Sequence, residues 1–325
     1  MRRTIVFITI MLAMCLSISA YTTTAVLLEH NGKIATYEAD SIQVAIDDAV
    51  DGDVIYLNEG IYPGFTITKK ISVKGVGMAT VIKDYVVIEL PIDPIGGQTL
   101  LTEPMLEYLK VNKRISVSQS SNPVKWLKIK QCECEGIWLG GDIYDSYIDR
   151  CHISGYYSGI YGDYVGNGLV IGDNANINKL TIVNSRIYTT HGNLSNVTFI
   201  NCHIVSLHSS PTVKNSIISS TKYYASWPSG ARFSYCYIDS GARLESCETI
   251  SCYERENVEG NNYLEYDSEE IAANGYYGSD GTIVGPLGGN TPYTLVPAIP
   301  KVTDGKLSVN PNSQQLNVTL TVSPK

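Results

Sequence analysis

Basic residues are scarce in this chain, which holds 24 Lys and Arg against 32 Asp and Glu and has a formal net charge of −8. Two of the basic residues, Arg2 and Arg3, belong to a predicted leader, and without them the balance is 22 against 32, or −10. Proteins that bind nucleic acids neutralise phosphates with Lys and Arg. The shortage of basic residues therefore argues against a nucleic-acid partner.

Long apolar runs are missing beyond the N-terminus. Residues 1–20 combine two arginines, an apolar run over 5–16 and small residues before position 21, which predicts a signal peptide. The apolar run is shorter than the roughly 20 residues that a membrane-spanning helix needs. Cys15 follows Met14, where a bacterial lipoprotein box has a small residue, so we do not expect lipid attachment there. We predict a secreted or cell-surface monomer without a transmembrane span in the mature chain.

Cysteine spacings typical of metal and redox sites are also lacking. Cys132 and Cys134 are separated by one residue rather than two, and the 5 His are scattered. Most cysteines outside the leader lie in or beside the small position of a sequence repeat, where a buried thiol acts as a small apolar filler. We therefore predict no metal centre, no disulfide framework and no cofactor.

A repeat organises the middle of the chain. The segments LTIVNSRI (180–187) and VTFINCHI (197–204) share one frame, with Ser185 and Cys202 at its small position. The small positions of all predicted copies are residues 132, 151, 168, 185, 202, 216, 236 and 247. One such unit cannot bury its apolar side alone and must stack on copies of itself. Asn precedes the small position at 184, 201 and 215, and we predict that these amides bond repeat to repeat.

The N-terminal part supports the same architecture. In SIQVAIDDAV the apolar residues fall at i, i+3, i+4 and i+7, which predicts an amphipathic helix over 41–50. An Asp-Gly-Asp turn and short apolar strands follow, and 41–77 as a whole resembles the N-terminal cap and first coils of pectate-lyase-like, right-handed parallel β-helix proteins. The resemblance implies an all-β, single-stranded right-handed parallel β-helix over 21–285 with a short N-terminal capping helix. A Gly/Pro-rich tail, 286–325, is predicted to end in a β-hairpin. The stretch 279–322 is similar to the tails of exported bacterial surface proteins that carry β-helices.

The resemblance also implies activity on acidic polysaccharides. Lyases of this fold combine a Ca²⁺ site made of several carboxylates with an Arg or Lys base. The candidate catalytic residues here are Asp142, Asp145, Asp149 and Arg150. The alternative is that these charges alternate outward from half-buried strands. The basic catalytic segment of pectate lyases has no counterpart in the chain, and Ca²⁺ is expected only if the protein is a lyase.

Glycoside hydrolases of this fold are matched only in part. The chain offers His191-Gly192 and Arg186-Ile187-Tyr188 beside their H-G and R-I-K signatures, and it lacks the N-T-D signature. Glu133 and Glu135 could form a carboxylate pair, for which surface solvation is the alternative.

Tyrosine is abundant, with 23 residues against 4 Phe and 3 Trp. Rings exposed on a flat sheet can stack on sugar faces, and the alternative is that they cover neighbouring coils. The candidate ligand-binding residues are Tyr144, Tyr147, Tyr156, Tyr157, Tyr161, Tyr164, Tyr223, Tyr224 and Trp227.

We therefore predict an exported, surface-associated protein that binds a polysaccharide, a surface glycan or a host or matrix partner without catalysis. A polysaccharide lyase or glycoside hydrolase is the alternative, and a purely structural surface repeat is the third possibility. Because the repeat frame is used for packing, only outward residues, such as Arg186, Tyr188 and His203, are left for function.

Overall fold

The structure is a computed structural model that describes residues 25–90, 99–100, 105–118, 123–155, 168–219, 230–239, 247–255, 268–294, 301–309 and 316–323. Strands dominate it, and the predicted all-β class is confirmed. The N-terminal strands are β1 (Ala25–His30), β2 (Lys33–Glu38), β3 (Val54–Leu57), β4 (Gly60–Tyr62), β5 (Phe65–Ile67), β6 (Ser72–Ile82), β7 (Val86–Ile88), β8 (Thr99–Leu100) and β9 (Leu106–Val117).

The middle and C-terminal strands are shorter. The middle strands are β10 (Val124–Lys125), β11 (Lys128–Lys130), β12 (Glu133–Leu139), β13 (Ile143–Asp149), β14 (His152–Ile153), β15 (Gly168–Ile171), β16 (Ile177–Val183) and β17 (Arg186–His191). The C-terminal strands are β18 (Val197–Ile200), β19 (His203–Ser206), β20 (Thr212–Lys214), β21 (Ile217–Ile218), β22 (Arg232–Ser234), β23 (Tyr237–Asp239), β24 (Glu248–Ile250) and β25 (Tyr253–Arg255). Two further strands, β26 (Lys301–Val309) and β27 (Leu316–Ser323), form a separate antiparallel pair.

A short helix lies at the N-terminal end, inside the segment where the apolar spacing predicts one. Helix α1 (Ile42–Asp48) follows a 3-10 turn at Ala39–Ser41 and buries Ile42, Ala45 and Ile46 in the main core. The Lys69 side chain donates hydrogen bonds to the carbonyls of Ile46 and Ala49 at the C-terminal end of this helix. A cation at this end is favourable because the last carbonyls of a helix carry partial negative charge.

The sheet is built from two series of parallel strands that alternate along the chain. The first series contains β11, β13, β16, β18, β20, β22 and β24, and each strand pairs in register with the next. The second series contains β9, β12, β14 with β15, β17, β19, β21, β23 and β25. Next-neighbour pairing of this kind is compatible with a solenoid, because every repeat lies directly on the one before it.

The core lies between the two series. Inward residues are aligned from strand to strand, as in Ile148 with Ile182, Ile182 with Phe199 and Phe199 with Val213. These four side chains are fully buried. The inward and outward residues alternate with the period of 2 that a strand imposes, which is why the repeat frame could be read from the sequence.

The small position of the repeat marks the turn between the two series. Aligned pairings place Cys132, Cys151, Ser185, Cys202, Ser216, Cys236 and Cys252 at equivalent positions. The predicted alignment was wrong at two points: Gly168 pairs with Gly136 inside the second series, and Cys247 precedes β24. The cysteines of the described ranges lie outside disulfides, and five of them are buried, as the predicted role of small fillers requires.

Serine and cysteine make the same local contact at this position. Ser185 Oγ donates to the carbonyl of Val183 at 2.7 Å, and Cys202 Sγ lies 3.4 Å from the carbonyl of Ile200. Both partners lie two residues earlier in the chain. The position therefore selects for a small side chain that can donate a hydrogen bond to this carbonyl.

We predict that Cys202→Ser leaves the free energy of unfolding within about 1 kcal/mol of wild type, because the hydroxyl can donate as Ser185 does. Urea unfolding followed by circular dichroism measures this difference. A loss above about 2 kcal/mol would show that the position depends on the apolar character of the thiol rather than on its size and donor.

A column of left-handed residues immediately precedes the small positions, and Tyr108 of β9 is aligned with this column. Its members have φ between 48° and 59°, and they are Tyr108, Gln131, Arg150, Asn184, Asn201, Asn215, Tyr235 and Ser251. Among non-glycine residues, Asn accepts this conformation most readily because its short polar side chain bonds locally. The backbone N–H of Asn184 donates to the carbonyl of Ile200 on the next repeat at 3.0 Å. The repeat-to-repeat bonds at these positions are thus made by the backbone.

The asparagine side chains instead bind a C-terminal segment, residues 276–294, which we call the strap. Asn184 Nδ2 donates to the carbonyl of Gly288 at 2.8 Å, and Asn215 Oδ1 accepts from the backbone N–H of Ser279 at 2.9 Å. The prediction that these amides bond one repeat to the next is therefore wrong for Asn184 and Asn215. Their side chains hold the strap along the corner between the two series.

The strap is preceded by a second helix, α2 (Ser268–Ala273). Ile271 of this helix and Val284 of the strap bury Ile217 and Tyr237 on the outer face of the second series. Ile217 and Tyr237 can be apolar although they face outward, because α2 and the strap shield them from water. No helix within the described ranges has the length and apolar character needed to cross a bilayer.

Candidate functional site

A polar groove lies on the outer face of the second series, next to the part that α2 and the strap cover. Register aligns Glu133, His152, Arg186 and His203 on successive strands. A cavity of about 480 Å³ opens over this row, and we call it the outer groove. Its lining residues are His152, Ser154, Arg186, Ile187, Tyr188, His203 and Val205.

Strand periodicity explains why the lining side chains other than that of Ile187 face outward. Ile153, Ile187 and Ile204 are buried with 0 to 1% exposure, so the residues on either side of each project from the opposite face. The same arrangement recurs on β14, β17 and β19. His152, Arg186 and His203 form one row across the strands, and Ser154 and Tyr188 belong to a second row beside it.

Opposite charges flank the N-terminal end of the groove. Lys110 Nζ lies 2.8 Å from Glu133 Oε1, and His152 Nδ1 lies 3.8 Å from Glu133 Oε2. Burial lowers the pKa of His152, and the nearby Arg186 acts in the same direction. Glu133 opposes this shift without reversing it. The imidazole of His152 is therefore neutral at pH 7, and it can donate or accept a hydrogen bond.

His203 is the most buried ionisable group of the groove, with 5% of its surface exposed. Its Nε2 lies 2.9 Å from Ser219 Oγ, and burial together with Arg186 lowers its pKa to about 4. The phenol of Tyr293, in the strap, lies near Arg186 and Glu133, and burial raises its pKa. Arg186 is thus the charged group of the groove near pH 7, flanked by two neutral imidazoles.

The lowered pKa of His203 predicts a pH dependence of stability. Because the unfolded chain protonates this imidazole near 6.5 and the folded chain near 4, acidification favours the unfolded state between these values. Stability is therefore full above about pH 6.5 and falls as the pH is lowered, by about 2 kcal/mol at pH 5. Urea unfolding at pH 7 and pH 5 measures the change.

His203→Gln is the matched control for this effect, because glutamine keeps a polar side chain and cannot titrate. Between pH 7 and pH 5, the decrease in the free energy of unfolding should be about 2 kcal/mol smaller for this variant than for wild type. Equal pH dependence in both proteins would contradict the assignment to His203.

The predicted catalytic carboxylates lie on the first series and make local contacts. Asp142 Oδ1 accepts from the backbone N–H of Asn176 at 2.8 Å, and Asp149 Oδ2 accepts from Arg150 Nη2 at 2.7 Å. Asp145 forms ion pairs with two lysines, at 3.7 and 3.5 Å. Asp142 and Asp149 stand at opposite ends of β13, roughly 20 Å apart along the strand. The structure does not bring these four residues together.

The predicted aromatic residues are only partly described. Tyr144 and Tyr147 lie on β13 of the first series, and Tyr147 is 38% exposed beside Thr181 of the next strand. The outer groove lies on the second series, so these two rings are not part of it. The remaining candidates, Tyr156, Tyr157, Tyr161, Tyr164, Tyr223, Tyr224 and Trp227, lie outside the described residues.

The two partial hydrolase matches are separated within one strand. Arg186-Ile187-Tyr188 begins β17 and contributes to the groove, whereas His191 ends the strand with its ring 6.2 Å from that of His208. Glu133 pairs with Lys110, as described above. Across the described residues, no three His, Cys, Asp or Glu side chains converge as a metal-binding group.

Of the residues that line the outer groove, the sequence predicted Arg186, Tyr188 and His203 as outward residues, and it did not single out His152 and Ser154. The signal for the missed pair was present, because His152 and Ser154 follow Cys151 by one and three residues. Arg186 and Tyr188 follow Ser185 at the same two distances.

The geometry defines an all-β protein with a solenoid-like parallel sheet and a polar groove on one outer face. Comparison of the chain with protein-family models, with curated proteins and with solved structures gives no match. The case for a function therefore rests on the groove itself.

Proposed function

We propose that the chain is a right-handed parallel β-helix of the pectate-lyase-like kind, exported to the cell surface, which binds a glycan in the outer groove without cleaving it. The observation that carries this proposal is a 480 Å³ cavity lined by Arg186, Tyr188 and two imidazoles on the outer face of a parallel sheet. Its volume falls within the range of about 300–1,000 Å³ that is typical of small-ligand sites.

The groove offers the contacts that sugars use. Arg186 and the neutral imidazoles supply hydrogen-bond donors and acceptors, and the Tyr188 ring supplies an apolar face for a pyranose ring. Ser154 adds an exposed hydroxyl at the same edge. Because the strands stack about 4.8 Å apart, equivalent side chains repeat along the groove, which suits a ligand that is itself extended.

A binding role without catalysis is supported by the contacts of the predicted catalytic residues. Asp142 accepts from the backbone N–H of Asn176, Asp145 pairs with lysines and Asp149 pairs with Arg150. Each of these carboxylates has a structural partner, and no pair of them flanks the groove. The proposed binding function requires no cofactor.

A polysaccharide lyase or glycoside hydrolase is the second candidate, and one observation favours it. The lowered pKa of His152 leaves a neutral imidazole next to Arg186. A neutral imidazole can act as a general base, and an arginine can bind the carboxylate of an acidic sugar. Appearance of unsaturated uronate or of reducing ends from an acidic polysaccharide, lost in His152→Ala, would establish this alternative in place of non-catalytic binding.

The binding proposal is tested with Arg186→Gln on a glycan array. Arginine contacts to a ligand are charge-assisted, so we expect the affinity for the best-bound glycan to fall about 10- to 100-fold. Arg232→Gln is the matched control, since Arg232 lies on the first series with a 73% exposed side chain, and its binding should equal that of wild type. The proposal fails if wild type binds no glycan, or if both variants weaken binding equally.

A further inference from the structure

The last repeat of the described sheet is packed more loosely than those before it. Glu248, Thr249 and Ile250, which form β24, are all exposed, although Thr249 is aligned with the buried Phe233 of the preceding repeat. A terminal repeat has one neighbour instead of two, so it is the place where a stacked sheet opens most easily.

Two cysteines face each other across this weak junction. Tyr237 and Tyr253 are register partners, and the residues immediately before them are Cys236 and Cys252. The backbone N–H of Tyr253 donates to the carbonyl of Cys236 at 2.8 Å, so the two cysteines occupy equivalent positions on adjacent, directly bonded repeats. Neighbouring strands lie about 4.8 Å apart, which is within the Cα separation of about 4.4–6.8 Å that disulfides span.

The accessibility of the two thiols differs. Cys236 is completely buried, whereas Cys252 is half-buried. A small oxidant can therefore reach Cys252 first, and Cys236 lies at the equivalent position of the preceding repeat. Cys132 and Cys151 also occupy equivalent positions on adjacent repeats, but both are completely buried.

We propose that Cys236 and Cys252 are a disulfide-forming pair that links the last two repeats when the protein meets a low-molecular-weight disulfide. The Cys252 thiolate attacks one sulfur of the oxidant, which forms a mixed disulfide and releases one oxidant thiol. Burial raises the pKa of the Cys236 thiol, so the second step is slower than the first: Cys236 loses its proton, attacks the Cys252 sulfur and releases the second oxidant thiol. The protein loses two protons and two electrons, and the oxidant disulfide gains them to become two thiols.

The consequence is a covalent tie at the loosest end of the sheet. The crosslink would hold β25 to β23 directly, and through the chain it would restrain the exposed β24. Opening of the terminal repeat would then no longer separate it from its neighbour, and the backbone amides of 248–255 would exchange with solvent more slowly in the oxidised protein.

The test treats the folded full-length protein with oxidised glutathione and measures the intact mass. We expect a loss of about 2 Da for the two hydrogens removed. Trypsin cleavage after Arg232, Arg243 and Arg255 separates residues 233–243, which contain Cys236, from 244–255, which contain Cys247 and Cys252. Fragmentation of the linked peptides then identifies which cysteine is joined to Cys236.

Two variants complete the design. Cys252→Ser places at this position the residue that Ser185 and Ser216 already supply elsewhere, so it should fold, and it should lose the crosslink. Cys247→Ser should retain it, since Cys247 is also half-buried but does not face Cys236. Stable glutathione on Cys252 without a crosslink, a link through Cys247, or oxidation of Cys132 with Cys151 in preference would overturn the proposal.

Discussion

Replacing Phe199 with alanine should lower the free energy of unfolding by about 3–5 kcal/mol, the usual loss for a buried phenylalanine. The ring is completely buried and is aligned with Ile182 on one side and Val213 on the other. The strands above and below are fixed by their own hydrogen bonds, so they cannot close the space that the ring leaves. The loss should therefore lie near the upper end of the range.

Urea unfolding of Phe199→Ala and of Thr198→Ala provides the measurement and its control. Thr198 is the preceding residue of the same strand and faces outward, so its replacement should lower the free energy by less than about 1 kcal/mol. Similar losses in the two variants would show that the inward and outward assignments of β18 are wrong.

Asn215→Ala should produce the second large loss, about 2–4 kcal/mol, because two separate terms are removed. Asn215 has φ of 49°, a conformation in which alanine is strained by about 1–2 kcal/mol. Its Oδ1 also accepts from the backbone N–H of Ser279 at 2.9 Å and from the Ser279 hydroxyl at 3.1 Å. Loss of this acceptor leaves the Ser279 N–H without its partner and loosens the strap.

Asn215→Gly separates the two terms, since glycine accepts the left-handed conformation without strain and has no side chain. We expect Asn215→Gly to be more stable than Asn215→Ala. The strap should lose its protection from hydrogen exchange to the same extent in both variants. Hydrogen exchange of 276–294 reports the strap, and thermal unfolding reports the total. A strap that stays protected in both variants would contradict the role given to the amide.

The all-β class could be predicted because the packing of a strand determines which residue types occur at successive positions of a short stretch of sequence. Inward residues of a strand alternate with outward ones, and the turn position needs a small side chain. The frame around Ser185 and Cys202 therefore records both the strand and the turn that follows it. Arg186, Tyr188 and His203 were identified as outward for the same reason, and they line the groove.

The alignment failed at Gly168 because spacing alone does not distinguish an insertion from a repeat. Cys151 and Ser185 are adjacent in the stack, yet 34 residues separate them along the chain. That distance is twice the 17 residues between Ser185 and Cys202. The spacing therefore predicted one additional repeat, where the chain instead has one second-series strand interrupted by an insertion. β14 and β15 occupy two parts of a single strand position, opposite β12.

The partners of the asparagines could not be predicted, because they are remote in sequence. Asn215 and Ser279 are separated by 64 residues, and Asn184 and Gly288 by 104. Asn before a small residue indicates a left-handed turn, and that local property was readable. Which backbone later passes over the amide depends on the path of the whole chain. The same limit applies to the lowered pKa of His203, which arises from burial and from a neighbouring strand.

The strap has a consequence for the order in which the protein folds. Pairing between repeats joins residues that are close in the chain, so those contacts can form early and extend from one repeat to the next. The contact between Asn184 and Gly288 requires the corner of several stacked repeats to exist first. During synthesis the repeats also emerge before the strap does. Closure of the strap over the asparagines should therefore be a late folding event, which fastens repeats that are already assembled.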